Sequence, residues 1–190
     1  MKYNPKVHHR RSIRLKDYDY SQGGAYFITI CCEDKKCLFG KIINKKMVLN
    51  SAGKMIDKWC LEIPKKFPAI ELAIYQIMPN HFHMIIINHD LVGADLCVRP
   101  NVANINYVNI MKKGGHIGPP LQKIIQWLKT MTTNEYIRNV KKYGWQSFNK
   151  RIWQRNYYEH VIRTENSYQL ITDYILTNPA KWLEDKLYVQ

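Results

Sequence analysis

The sequence predicts an α+β domain, one antiparallel sheet with helices packed mainly on one face. Three observations carry that prediction. Short runs rich in β-branched and aromatic residues come early, as in Ala25-Tyr26-Phe27-Ile28-Thr29-Ile30-Cys31-Cys32. Stretches with helical spacing are interspersed among them. The breaks between neighbouring strands read as hairpin turns, among them Glu33-Asp34-Lys35-Lys36 and Pro79-Asn80.

Taken in order, residues 1–20 read as a basic arm and Ser21-Gln22-Gly23-Gly24 as a turn into the first strand. A second strand or pair of strands is expected around Leu38 to Leu49. Ser51 is placed to cap a helix from about Ala52 to Lys66, with Met55, Trp59 and Ile63 on its apolar stripe and Pro64 bending or ending it. Ile70 to Met78 is the next strand, and Pro79-Asn80 turns the chain into an antiparallel neighbour beginning at His81. From Asp90 to Pro120 the periodicity dissolves among Gly, Asn and Pro, so a flexible insertion is expected at residues 90–120. Leu121 to about Val140 has helical spacing in Ile124, Ile125, Leu128, Met131 and Tyr136. A last helix from about Glu165 to Thr177 has Asn166 and Gln169 as a capping pair, and Asn178-Pro179 closes it. No internal repeat is evident, so residues 1–190 are expected to form one domain.

Composition narrows the class. With 190 residues, 46% hydrophobic and 23% charged, the chain can bury a real core without cross-links. No run is long enough for a membrane span, and Met1-Lys2-Tyr3-Asn4-Pro5-Lys6 lacks the apolar centre of a signal peptide. The five cysteines form no CxxC pair, which argues against a zinc knuckle or a disulfide framework and points to the cytoplasm. The net charge of +14 is the strong signal. Arg10, Arg11 and Arg14 lie in the N-terminal arm. A second basic zone containing Arg155 and Arg163 is interleaved with Trp153, Tyr157 and Tyr158. Cations for phosphates and flat rings for unstacked bases are what a single-strand nucleic-acid groove requires, although any one of these residues is equally at home on a solvated face or in a core.

The most informative stretch is Met78-Pro79-Asn80-His81-Phe82-His83-Met84-Ile85-Ile86-Ile87. Side chains alternate along a strand, so His81 and His83 share one face while Phe82 points into a core. Two imidazoles a pleat apart can share a divalent metal, and the apolar continuation places them on a strand buried on both faces. The alternative is one core histidine and one exposed one. Near the C-terminus, Tyr174 and Asn178 are i and i+4 and therefore lie on one helical face. Laid against the histidines, that face offers a nucleophilic phenol and an amide oxygen ligand. Alternatively Tyr174 belongs to an apolar stripe with Tyr168, Ile171 and Ile175, and Asn178 merely ends the helix.

Four blocks in order make the pattern recognisable. They are Arg10-Arg11-Ser12-Ile13-Arg14 with Tyr26-Phe27-Ile28-Thr29-Ile30, the Met78–His83 block, Trp153-Gln154-Arg155-Asn156-Tyr157-Tyr158-Glu159-His160-Val161-Ile162-Arg163, and Asp173-Tyr174-Ile175 with Asn178-Pro179. On these blocks the chain resembles the single-tyrosine HUH transposases of the insertion-sequence-200-like superfamily, most of all the REP-associated tyrosine transposases. The resemblance implies a ferredoxin-like antiparallel sheet with the HUH motif on a central strand. It implies that His81, His83 and Asn178 hold Mg²⁺ or Mn²⁺, and that Tyr174 is the nucleophile, with Tyr157 and Tyr158 as rivals. Arg10, Arg11, Arg14, Arg155 and Arg163 are expected on phosphates, and Trp153 or Tyr157 on a base.

The activity so implied is cleavage and rejoining of single-stranded or hairpin DNA through a 5′-phosphotyrosine, by a monomer or a homodimer. The alternatives are a replication initiator or relaxase of the same chemistry, a DNA-binding protein with a vestigial site, and a metal-dependent phosphodiesterase in which water replaces tyrosine.

Overall fold

The computed structural model describes residues 23–89 and 121–189. The expected basic arm with Arg10, Arg11 and Arg14, the expected insertion at 90–120 and Cys97 lie outside the described residues. Four strands form the main sheet: β1 (Gly24–Cys31), β4 (Ile70–Ile77), β5 (His81–Asn88) and β6 (Tyr158–Ile162), in the order β4-β5-β1-β6 with every neighbouring pair antiparallel. β2 (Gly40–Ile43) and β3 (Lys46–Leu49) form a separate hairpin. The helices are α1 (Ser51–Leu61), the single turn α2 (Ile63–Lys66), α3 (Leu121–Tyr143) and α4 (Glu165–Thr177), and a 3-10 segment follows at Asn178–Glu184. Without the hairpin, β1-α1-β4-β5-α3-β6 is the split βαβ arrangement expected of a ferredoxin-like sheet.

Strand alternation divides the molecule into two faces. Tyr26, Ile28, Ile30 and Cys32 point to one side with Phe82, Met84 and Ile86, where α1 and α3 cover them with Met55, Ile56, Ile124 and Leu128. Ala25, Phe27, Ile85, Ile87 and Ile162 point to the other side, where α4 lays Tyr168, Ile171 and Ile175 on them. Two of the three long helices therefore share a face, and the last one covers the opposite one. β5 lies between β4 and β1 and is buried at all of its residues, as its unbroken apolar run requires.

Several local expectations shift, each for a physical reason. The α1 cap is Asn50, whose Oδ1 accepts from the Gly53 amide while its Nδ2 donates to the Leu38 carbonyl. Ser51 is the first residue inside the helix, one place past the capping position. The helix breaks at Glu62, two residues before Pro64, which sits in the first turn of α2. In α3 the inward stripe passes through Thr132 rather than Met131, one helical turn after Leu128. The helix runs on to Tyr143, where Gly144 at φ +66° donates to the Val140 carbonyl. The α4 cap is Thr164, not the pair Asn166 and Gln169: its Oγ1 accepts from Ser167, and Gln169 donates to Glu165 instead.

Candidate active site

The β4–β5 turn is closed by the Met78 amide donating to the His81 carbonyl, which starts β5 at His81 and aims His81 and His83 at the α4 face. Each imidazole is held from behind. His81 Nδ1 lies 2.7 Å from Asn80 Oδ1, and His83 Nδ1 lies 2.8 Å from Thr29 Oγ1, directly across the β1–β5 ladder. An amide oxygen can only accept, so His81 Nδ1 carries the proton and its Nε2 presents a lone pair. The two Nε2 atoms face each other at 3.0 Å. With the Thr29 hydroxyl donating to His83 Nδ1, His83 Nε2–H donates to His81 Nε2; with His83 Nδ1 donating to Thr29 instead, both Nε2 atoms present lone pairs, the state that a shared cation would select.

The third member comes from the 3-10 segment's far end. Asp185 Oδ2 lies 3.9 Å from His81 Nε2, and the ligand atoms of His81, His83 and Asp185 all lie within 4.8 Å of one another. Asn178 Nδ2 donates to that same Oδ2 at 3.0 Å, while Oδ1 of Asp185 accepts from the Leu187 amide. Asn178 Oδ1 is buried without a hydrogen-bond partner. A donor set of two imidazoles and a carboxylate, beside an orphaned amide oxygen, fits a divalent cation. Burial pushes both imidazoles down to about 3, so both stay neutral near pH 7; for His83 the neighbouring His81 adds to the effect and Asp185 opposes it.

Tyr174 completes the cluster. Tyr168, Ile171 and Ile175 anchor α4 to the sheet, and Tyr174 projects from the shoulder of that stripe. Its ring meets Phe27 edge-on at 6.1 Å and lies 5.2 Å from the His83 ring, which brings its hydroxyl to 3.5 Å from His83 Nε2. Its 45% exposure leaves the phenol open to a cleft of about 490 Å³ lined by Cys31, Tyr158, Lys181 and Lys186. Partial burial raises the Tyr174 pKa and the negative charge of Asp185 raises it further, against a lowering hydrogen bond from Asn178.

The other sequence candidates fall in different places. Trp153 is withdrawn as a base-stacking residue: it is 4% exposed, packs on Phe39 and Phe82, and spends its indole N–H on Thr132 Oγ1 at 3.0 Å. Tyr157 packs toward α3 with Lys129 Nζ 5.4 Å from its ring centroid, and Arg155 is exposed beside the same groove. Tyr158, 52% exposed, lines the cleft of Tyr174 and Asp185 instead. Arg163 follows β6 at the end paired with Ala25, whereas the histidines sit at the Thr29–Cys31 end, so the fold does not bring it to the cluster. Asp185 is the residue that the sequence reading missed. It lies seven residues beyond Asn178, across Pro179, where no helical periodicity links the two. Only the 3-10 fold-back joins them.

This core has a solved counterpart. A structure described as a REP-associated tyrosine transposase bound to a REP hairpin superposes with a TM-score of 0.54, at 18% identity over 89% of this chain and 73% of that one. The fold is thus that of a tyrosine transposase, as the resemblance read from the sequence implies. No protein-family model matches the chain. The chain belongs to the same family as a Haemophilus influenzae protein named "Uncharacterized protein", 42% identical over 188 residues, which are 99% of this chain and 98% of that protein. A second Haemophilus influenzae protein, named "Putative REP-associated tyrosine transposase", is 27% identical over 167 residues, 86% of this chain and 74% of that one. Among the described residues no helix is long and apolar enough to cross a membrane.

Proposed function

We propose that the protein is a metal-dependent tyrosine transposase that cleaves and rejoins single-stranded or hairpin DNA through a 5′-phosphotyrosine. The observation that carries this reading is the Tyr174 hydroxyl 3.5 Å from His83 Nε2, beside two imidazoles and a carboxylate that converge on one point. The net charge of +14 and the likeness to a transposase structure with a REP hairpin bound support DNA as the substrate.

In this reading His81, His83 and Asp185 would hold Mg²⁺ or Mn²⁺, and the unpartnered Oδ1 of Asn178, which lines the same cleft, is a candidate fourth ligand atom and the second oxygen of the set. Asp185 makes the donor set harder than two imidazoles alone, which suits both ions. A divalent cation held there supplies positive charge beside the scissile phosphate and the phenol. The chain's own residues do the rest. Asn80 fixes the His81 tautomer, Thr29 holds the His83 ring, and Asn178 steadies the Asp185 carboxylate. Phe27 holds the Tyr174 ring edge-on, and Lys181 and Lys186 line the cleft where the phosphates flanking the cut would pass. Tyr174 attacks in line, its oxygen bonding to phosphorus as the P–O3′ bond breaks. Because the phenol pKa is raised in the metal-free protein, the tyrosine is a poor nucleophile until positive charge enters the cleft. The product is a phosphodiester, so a second 3′-hydroxyl can reverse the step and join strands without an external energy source. Arg10, Arg11, Arg14 and Arg155 remain proposed phosphate contacts and Tyr157 a stacking ring.

Incubation of the protein with labelled hairpin DNA and Mn²⁺ tests the reading, by looking for a protein–DNA adduct that survives SDS. Tyr174→Phe is expected to abolish it, while Tyr157→Phe and Tyr158→Phe retain it. An adduct that persists in Tyr174→Phe and vanishes in Tyr158→Phe would move the nucleophile to the other phenol in the cleft. Hydrolysed DNA with no adduct would make the enzyme a phosphodiesterase.

A further inference from the structure

A second groove, of about 520 Å³, runs between α3 and the extended stretch at residues 151–157 and shares no lining residue with the metal cleft. Its helical wall is unusual for so basic a chain. Gln122, Gln126, Thr130 and Asn134 follow one another at four-residue steps and so form one uncharged polar ridge facing the groove. Apart from Lys129, which also lines the groove, the charges of this helix lie elsewhere, on Lys123, Glu135, Arg138, Lys141 and Lys142.

Two of the three cations lining the groove are already engaged. Lys129 Nζ donates to the carbonyls of Gln154, Arg155 and Asn156 at 2.9, 3.4 and 3.3 Å, which uses all three ammonium donors. Arg151 Nε is bonded to Glu33 at 2.9 Å. What remains available is a row of amide and hydroxyl groups opposite the Tyr157 ring, with exposed Arg155 at the rim. Gln126 and Asn134 make no side-chain hydrogen bond to other described residues. Free amides read the donor and acceptor edges of bases, and a flat ring stacks on their faces. A site meant for phosphate alone would instead keep its cations free.

We propose that this groove is a base-reading subsite for an unpaired nucleotide of the DNA strand whose phosphate enters the metal cleft. The proposal rests on the transposase reading for the identity of the strand. Tyr157 lines the groove and Tyr158 the cleft, so consecutive residues of one segment separate the two sites. Their side chains point to opposite faces of the sheet, and β6 stands at the end of the strand order, so one DNA strand reaches both sites by passing around that edge. Lys129 holds that dividing segment in place through its three carbonyls.

Fluorescence anisotropy with a short mixed-sequence single-stranded DNA and with its duplex, in EDTA so that no strand is cut, tests the subsite. The double variant Gln126→Ala/Asn134→Ala changes two exposed positions to a residue that favours helix, and a thermal melt checks that it folds as the parent does. The expected result is about a tenfold weaker Kd for the single strand, the scale of losing one bidentate base contact, with duplex binding unchanged. Single-strand affinity unchanged in the double variant, or duplex affinity falling equally, overturns the proposal. If the adduct assay fails while the double variant still loses single-strand affinity, the cleavage reading falls and the subsite stands; the opposite pair of results removes only the subsite.

Discussion

The two faces of the sheet are built from the same strands and put to opposite uses. On the α1 and α3 side, Phe82, Met84, Ile28 and Ile30 are fully buried among aliphatic and aromatic neighbours. On the α4 side the same strands carry Thr29, His81 and His83, also buried, and an apolar anchor of only a few residues around Ile175. The difference teaches how a polar cluster is afforded inside a small fold. Burying imidazoles is costly unless each nitrogen has a partner. Here Asn80, Thr29 and the facing imidazole supply partners on one side while a conventional core on the other supplies the stability.

That contrast can be broken from either side. The largest expected effect is on chemistry: Tyr174→Phe removes one hydroxyl from a half-exposed ring, so the SDS-resistant adduct is expected to fall to background with the melting temperature nearly unchanged. A substantial loss of melting temperature would show that the phenol also supports the α4 packing. The converse variant, Phe82→Ala, empties a buried ring site on the opposite face and is expected to cost about 3–5 kcal/mol in denaturant unfolding. If the fold survives, calorimetry should still detect Mn²⁺ binding, because no ligand is touched.

The third test reads the metal through stability. Mn²⁺ at about a hundred times its Kd should stabilise the parent protein by about 2.7 kcal/mol, and His83→Ala should remove most of that response. An equal response in the variant would relocate the metal. The smallest effect near neutral pH concerns protons. His81 and His83 have folded pKa values near 3, below the ordinary 6.5, so the unfolded chain takes up protons first. The metal-free protein should therefore hold its full stability above about pH 6.5 and lose it progressively toward pH 3. Urea melts across that range should show a shallower decline in His81→Gln/His83→Gln.

Much of this was legible from residue order alone. The alternation around His81 and His83 predicts two imidazoles on one face, and the unbroken apolar run after them predicts a central strand. The bounds of α4 follow from its periodicity, and the i+4 spacing places Asn178 beside Tyr174. Three features were not legible, each because a distant contact decides it. Trp153 looks like a stacking ring until Thr132, brought in by α3, accepts its indole proton. Tyr157 and Tyr158 look equivalent until the end of β1 assigns them to opposite grooves. Asp185 carries no motif, and its role depends on a 3-10 fold-back that spacing rules do not describe.

Asn80 has a consequence for when the His81–His83–Asp185 cluster comes together. The amide whose oxygen orients His81 also donates through its nitrogen to the carbonyls of Lys35 and Leu187, at 3.1 and 2.8 Å. One side chain therefore ties the histidine turn to the 3-10 turn after β1 and to the turn at Lys186-Leu187 that follows Asp185. During synthesis the histidines emerge long before that last turn. The His81–His83–Asp185 cluster therefore closes only once the segment at Leu187 has docked on Asn80.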